Sequence, residues 1–359
     1  MKKRLFAIGI TVCMVFLLAF ASGCGKGSEK VVNVYNWGEY IDESVLKLFE
    51  KRTGIHVNYN TFETNESMYA ALKNGGSNYD VIFPSDYMIS RMIAENMLQP
   101  IDYQNIPNAS KINLKDFNVQ SALSYDPDGA YSVPYAWGTV GIIYNTKTVK
   151  NPVTSWGGLF DASNKGQILM FNNARDGIGI ALKYLGYSLN TINKEEIKKA
   201  TDLLIDQKQK GLVQAYVMDQ IFEKMIGGEA AIGPYYAGDA LTMIQENPDL
   251  AFCYPKEGTN LFVDAMCIPK NADNKENAGA FINFMCDPEI MVMNAKATGY
   301  AVPSRAAYEL LDPEEQNSKL IYPDASVLKN CEIYKNLPQD VNAFYDSEWS
   351  RLTMAKSGS

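Results

Sequence analysis

The sequence predicts an α/β protein of two lobes, each built on a mostly parallel sheet, with a ligand cleft between them. Short β-branched and apolar runs alternate with helical patterns from residue 31 to residue 285. Several of those runs are nearly continuous in apolar residues, as strands buried on both faces require. No Gly/Ser/Pro-rich linker separates the first series of elements from the second, so crossing strands are expected to join the lobes. A chain of 359 residues has room for about two domains.

The first series opens with Val31-Val32-Asn33-Val34-Tyr35, a strand that breaks at Asn36-Trp37-Gly38-Glu39-Tyr40. The next helix presents Val45, Leu46 and Phe49 on one face and stops at Gly54. Residues 55–59 form a strand, with His56 in a structural position, and Thr64 or Asn65 caps a helix through Met68, Ala71 and Leu72. Residues 79–83 form a buried strand that ends at Pro84-Ser85. A second series begins near Gly138, with strands at 141–145 and 168–171 and a helix at 195–208 striped by Ile197, Ala200 and Leu204. A strand at 230–232 follows a helix that ends near Gly227-Gly228, and residues 261–266 form a late strand. One long helical stretch then carries Ala280, Phe281, Phe284 and Met285.

A hydrophobic content of 47% with 21% charged residues describes an ordinary globular protein. With 33 Lys+Arg against 41 Asp+Glu the chain carries −8, which argues against nucleic acid as a partner. A single His removes most histidine-based catalytic and zinc constellations. Residues 1–23 read as a secretory signal, with Lys2, Lys3 and Arg4 ahead of a short apolar run. The run ends at Ala21-Ser22-Gly23-Cys24, which resembles the lipobox of bacterial lipoproteins. That resemblance implies acylation of Cys24, a polar tether over 24–30 and an extracytoplasmic domain anchored to the cell membrane. Removing residues 1–23 takes away three positive charges, leaving 30 against 41, or −11. Such a protein is suited to a cation. Cys253, Cys267, Cys286 and Cys331 are spaced by 14, 19 and 45 residues, which fits no CxxC metal template. Disulfides and buried free thiols both remain open for them.

In open α/β sheets ligands bind beyond the carboxyl ends of strands. Those ends collect Trp37, Glu39 and Tyr40; Ser85, Asp86 and Tyr87; Asn173 and Asp176; and Tyr235, Tyr236 and Asp239, with Phe262 and Asp264 on the late strand. Aromatic rings and carboxylates dominate, and Arg175 is nearly alone as a cation. This composition suits a long organic cation, because ring faces cover methylenes and attract ammonium groups at about 0.5–2 kcal/mol each. The carboxylates neutralise the charge.

These residues, with the lipobox, resemble the spermidine/putrescine-binding proteins of ABC importers. The resemblance is carried by residues 34–40, by Asn65-Glu66-Ser67-Met68-Tyr69, by residues 79–85, by Ser132-Val133-Pro134-Tyr135-Ala136-Trp137-Gly138 and by Thr154-Ser155-Trp156. Ala280-Phe281-Ile282-Asn283-Phe284, Gly299-Tyr300-Ala301-Val302-Pro303 and Tyr322-Pro323-Asp324 complete it. It implies two hinged lobes, 31–137 with 265–328 and 138–264 with 329–357, closing over a polyamine. It places Trp37, Tyr40, Tyr87 and Tyr300 as an aromatic sandwich, with Gly38 and Glu39 in the same loop and Ser85 as a polar contact. Asp264 matches the carboxylate that grips an amine, and Asp176 a Glu that holds a terminal amine. The chain departs from the spermidine-preferring pattern at Asn173, where a carboxylate is expected, and at Tyr236 and Phe262, which replace tryptophans. Tyr334 stands near where a Gln is found, and Asp239 matches an acidic residue of putrescine-preferring members.

The implied protein is a monomeric binding protein with no chemical step, cofactor or metal, which delivers its polyamine to a membrane permease. Two alternatives stand beside it: a solute-binding protein for another organic cation such as thiamine, and an exported glycosidase using a carboxylate pair such as Glu39 and Asp264.

Overall fold

A computed structural model describes residues 30–75 and 78–358. The signal segment, Cys24 and all of the tether except Lys30 lie outside the described residues. The strands among the described residues are β1 (Val31–Trp37), β2 (His56–Phe62), β3 (Val81–Ile82), β4 (Leu98–Gln99), β5 (Ser132–Asn145) and β6 (Ile168–Phe171). They continue with β7 (Val213–Val217), β8 (Ile232–Tyr236), β9 (Leu250–Cys253), β10 (Thr259–Pro269) and β11 (Cys331–Glu332). Their hydrogen-bonded order is β2-β1-β3-β10-β5-β8-β6-β7, with β4 and β11 on β10 and β9 on β5.

Both flanks are parallel: β1 pairs with β2 and β3, and β6 with β7 and β8. The centre is antiparallel and is made by two long strands that serve both halves. Ser132–Thr139 of β5 pairs with β10, whereas Val140–Tyr144 pairs with β8. The chain thus passes between two α/β halves along crossing strands, and β10 is buried over its whole length. On β1 the alternation is clean, with Val32, Val34 and Asn36 inward.

Helices cover the sheet faces. α1 (Glu43–Thr53) is capped by Asp42, whose carboxylate accepts from the Ser44 N–H, and ends at Gly54 in the left-handed conformation. α2 (Asn65–Lys73) starts from Thr64 through a reciprocal capping box with Ser67. α3 (Asp86–Ala94) leaves the end of β3, and α4 (Ala174–Tyr184) leaves β6 with Asn173 as its cap. α5 (Lys194–Gln209), α6 (Ile221–Ile226) and α7 (Ala237–Glu246) belong to the second half. The C-terminal helix Gln339–Met354 packs against α4 and α5.

The structure corrects several sequence boundaries. The strand expected at 230–232 is β8, which starts at Ile232 and runs on to Tyr236. The strand expected at 79–83 is shorter, β3 spanning only Val81–Ile82. The long helical stretch after β10 is α8 (Lys275–Met285), which carries all four residues read there, and α9 (Pro288–Thr298) follows, with Asp287 as its cap and Pro288 in its first turn. His56 is the exposed first residue of β2, with Nδ1 2.7 Å from Glu50 Oε1. Cys253, Cys267, Cys286 and Cys331 are free, with Cys267 and Cys286 buried.

The end of α9 ties the halves together. Gly299 has φ +75°, and a Cβ there would come 2.5 Å from the Gly238 carbonyl oxygen of α7. Gly299→Ala is expected to cost about 1–2 kcal/mol from the left-handed backbone alone, with a further loss from the clash. Thermal unfolding measures it; a melting temperature equal to wild type would show that this close approach does not constrain the fold.

Candidate functional site

The carboxyl ends of β1, β3, β6 and β8 converge with the middle of β10 on one cavity. Its first wall comes from the β1–α1 turn. Trp37 is held there by its indole N–H, which donates to the Phe83 carbonyl at 2.8 Å, and its ring packs on Phe62. Gly38 lies so close to Asp219 that a Cβ would stand 2.4 Å from Asp219 Oδ2, and Glu39 adopts φ +44°. The turn therefore brings the Gly38 backbone close to the Asp219 side chain of the other half.

Asp264 occupies the centre. It sits at a register shift in β10, between Asp264 and Ala265, and opposite Ser85 in an isolated antiparallel bridge. Tyr40 donates its hydroxyl to Asp264 Oδ2 at 2.7 Å, while the Tyr40 carbonyl accepts from the Tyr135 hydroxyl at 2.7 Å. Asp264 is 4% exposed, and its Oδ1 is buried with no hydrogen-bond partner among the described residues. A buried carboxylate oxygen left this way is costly until a donor meets it. Tyr300 makes the parallel pair, donating to Asp239 Oδ2 at 2.8 Å. The rings of Tyr40 and Tyr300 meet edge to face at 4.7 Å, so the two carboxylates flank an aromatic wall.

The opposite end gathers around Asp176, in the first turn of α4. Its Oδ2 accepts from the Tyr236 hydroxyl at 2.8 Å and from Asn173 Nδ2 at 2.9 Å. Asn173 also caps α4, accepting from the Asp176 N–H at 2.8 Å. Across the cleft Tyr87 donates to Glu66 Oε1 at 2.8 Å, and Asn65 donates to the hydroxyls of both Tyr87 and Ser85. Tyr334 donates to the Arg175 carbonyl at 2.9 Å.

Burial governs the electrostatics. It pushes Asp264 up to about 6, against the lowering effect of the nearby Ser85 and Tyr40 hydroxyls, and the charge of Asp176 adds to the rise. Burial also raises Asp239 well above the usual carboxylate range, opposed by the Tyr300 hydroxyl and reinforced by Asp219, Glu39 and Asp264. Asp176, Asp219 and Glu66 are raised by burial too, with Tyr236, Tyr235 and Tyr87 respectively opposing. A lined, aromatic cavity holding this many desolvated carboxylates is built for cationic groups. Among the described residues no group of three or more His, Cys, Asp or Glu is placed to hold a metal ion, and no helix is long and apolar enough to cross a membrane.

Residues 44–321 match the sequence pattern of a family described as bacterial extracellular solute-binding protein. The chain belongs to that family. It is 37% identical over 320 residues to the spermidine/putrescine-binding periplasmic protein of Escherichia coli K12, covering 89% of this chain and 90% of that one. It is 31% identical to a putrescine-binding periplasmic protein of Pseudomonas aeruginosa, covering 99% of this chain and all of that one. The solved structure of a spermidine/putrescine ABC transporter substrate-binding protein from Streptococcus pneumoniae superposes with a TM-score of 0.75 at 37% identity, over 91% of this chain and 99% of that one. The two α/β halves joined by β5 and β10 are the two lobes of the solute-binding fold.

In this solute-binding protein every ligand-cleft residue singled out from the sequence, from Trp37 and Gly38 to Tyr300 and Tyr334, reaches the wall of the same cavity. Their positions differ in kind. Asp86 is fully buried, and its oxygens accept from the Tyr87 and Val263 N–H groups at 2.6 and 3.3 Å, so it ties α3 to β10. Asn173 and Tyr236 spend their polar atoms on Asp176. The sequence reading missed Phe62, Asn65, Glu66, Met218, Asp219 and Asn260 as wall residues. Asn65 and Glu66 lay in a quoted motif but read only as the start of a helix.

Proposed function

We propose that this protein captures a polyamine, putrescine or spermidine, between its lobes and delivers it to the permease of an ABC importer, without a chemical step. One observation carries the reading: the unpartnered Oδ1 of buried Asp264, set among Tyr40, Tyr300 and Phe262, asks for a donor that is also a cation. An ammonium supplies both, and the rings flank its methylenes. Asp239 and Asp176 hold the remaining amines in this scheme. The names of the relatives support the ligand class. Ligand contacts to both sides would shift the open–closed equilibrium toward closure.

The lobes we assign are 31–137 with 265–328 and 138–264 with 329–357; the change of partner along β5 at Val140 supports the first boundary. The working form is a monomer on the extracytoplasmic side, lipid-anchored through Cys24, with Trp37, Gly38, Glu39, Tyr40, Ser85, Tyr87, Asp176, Tyr236, Asp239, Phe262, Asp264, Tyr300 and Tyr334 facing the ligand.

The test is titration calorimetry on residues 25–359, refolded to remove bound polyamine, against putrescine, cadaverine, spermidine, spermine, thiamine and a neutral sugar. Binding of one diamine or triamine at micromolar Kd or tighter, about −8 kcal/mol, is the expected result. Silence with every polyamine from folded protein, or preference for thiamine, would overturn the reading.

A further inference from the structure

The two ends of the cleft lack opposite things. At the Asp264 end the unmet group is an acceptor, Oδ1, and neighbouring Asp239 has one hydroxyl donor, Tyr300. At the Asp176 end the unmet groups are donors. Arg175 is 5% exposed; its Nη1 donates to the Lys335 carbonyl at 3.3 Å, but Nε and Nη2 are buried with no partner among the described residues. The guanidinium lies against the rings of Tyr87, Tyr334 and Tyr345, at 5.1, 4.5 and 5.5 Å from their centroids. Tyr87 and Tyr334 both line the cavity, as Arg175 does.

Asp176 is already served. Its Oδ2 accepts from Tyr236 and Asn173, and the Arg175 charge acts on it and on Glu66. That carboxylate therefore needs a ligand ammonium less than Asp264 does, whereas the guanidinium needs an oxygen. An ammonium has only donors and cannot supply one. A polyamine with free amines at both ends satisfies the first end of the cleft and leaves the second unmet.

We propose that the cleft also takes a polyamine acylated at one end, with its free ammonium at Asp264 and Asp239 and its amide carbonyl oxygen accepting from Arg175. The proposal rests on the polyamine reading above and extends it to a second ligand class. A neutral amide suits this end better than a carboxylate, because the Asp176 and Glu66 carboxyls already feel the Arg175 charge and would repel a second anion. The Tyr87 and Tyr334 rings offer the acyl group an apolar surface.

Calorimetry on refolded, ligand-stripped protein tests this with putrescine, N-acetylputrescine and γ-aminobutyrate as probes. N-acetylputrescine is expected to bind within about tenfold of putrescine, and γ-aminobutyrate at least about tenfold more weakly than the acetylated amine. Arg175→Met should weaken N-acetylputrescine at least about tenfold more than putrescine, and Arg175→Lys, which keeps a donor, should recover part of that difference. Wild-type binding of N-acetylputrescine more than about tenfold weaker than putrescine overturns the proposal, as does an Arg175→Met variant that weakens both ligands equally. The wild-type comparison decides the matter even if Arg175→Met fails to fold. Loss of putrescine and spermidine binding in wild type would instead count against the polyamine reading itself.

Discussion

Asp264→Ala is expected to weaken polyamine binding by about 3–5 kcal/mol, roughly 150- to 5,000-fold in Kd. The size follows from what the substitution leaves behind. The ammonium that met Oδ1 would sit desolvated against Tyr40 and Tyr300 with no counter-charge, and the Tyr40 hydroxyl would lose its acceptor as well. Asp264→Asn keeps the volume and an acceptor oxygen, so it separates charge from shape and should recover part of the loss. Without ligand the sign reverses: removing a buried carboxylate with an unmet oxygen should raise the melting temperature of the stripped protein. Calorimetry and thermal unfolding on the same two variants read both effects. Binding within threefold of wild type for Asp264→Ala would remove Asp264 from the ligand's contacts, and the proposed function would lose its main support.

Most of the wall could be found in the sequence because the rule that finds it is topological, whereas Asp264, in the middle of β10, comes from its residue type on the late strand and from the resemblance. Once β1, β3, β6 and β8 are placed, their carboxyl ends name most of the wall, and the aromatic and acidic residue types found there name the ligand class. The misses share a different origin. Glu66 stands in the first turn of α2, where an acidic residue is ordinary helix chemistry, and only the approach of Tyr87 from another element gives it a site position. Asp219 follows β7, whose Val-Gln-Ala-Tyr-Val pattern is half-buried and gives little strand signal, so the strand end that would have flagged it went unread. Asp86 shows the converse. It has the right residue type at the right strand end, yet two backbone N–H groups claim its oxygens. Residue type and strand end locate a wall, but only hydrogen-bond partners tell which carboxylates are left for a ligand.

Affinity is expected to fall about 10–100-fold as pH drops from 7 to 5. Burial holds Asp264 at about 6 instead of its usual 3.8, and it raises Asp239 well above the usual range. An ammonium against either carboxylate favours the charged form and draws the pKa back down, so ligand binding on the acidic side of 6 must release a proton. Asp264 alone contributes about tenfold between pH 7 and pH 5, and Asp239 adds to it. The stability of the ligand-stripped protein runs the other way. A carboxylate whose folded pKa is raised contributes stability that is fully present below about 3.8 and is lost as pH rises through about 6, so these groups favour the stripped fold at pH 5 over pH 7. The ligand's stabilising effect should thus be large at neutral pH and small at pH 5. Titrations in buffers of different ionisation enthalpy would show the released proton directly, and Asp264→Asn should flatten the part of the profile centred near 6. An affinity unchanged between pH 7 and 5, with no proton release, would mean that Asp264 is already ionised before the ligand arrives and that the desolvated, unmet oxygen is not what draws the cation in.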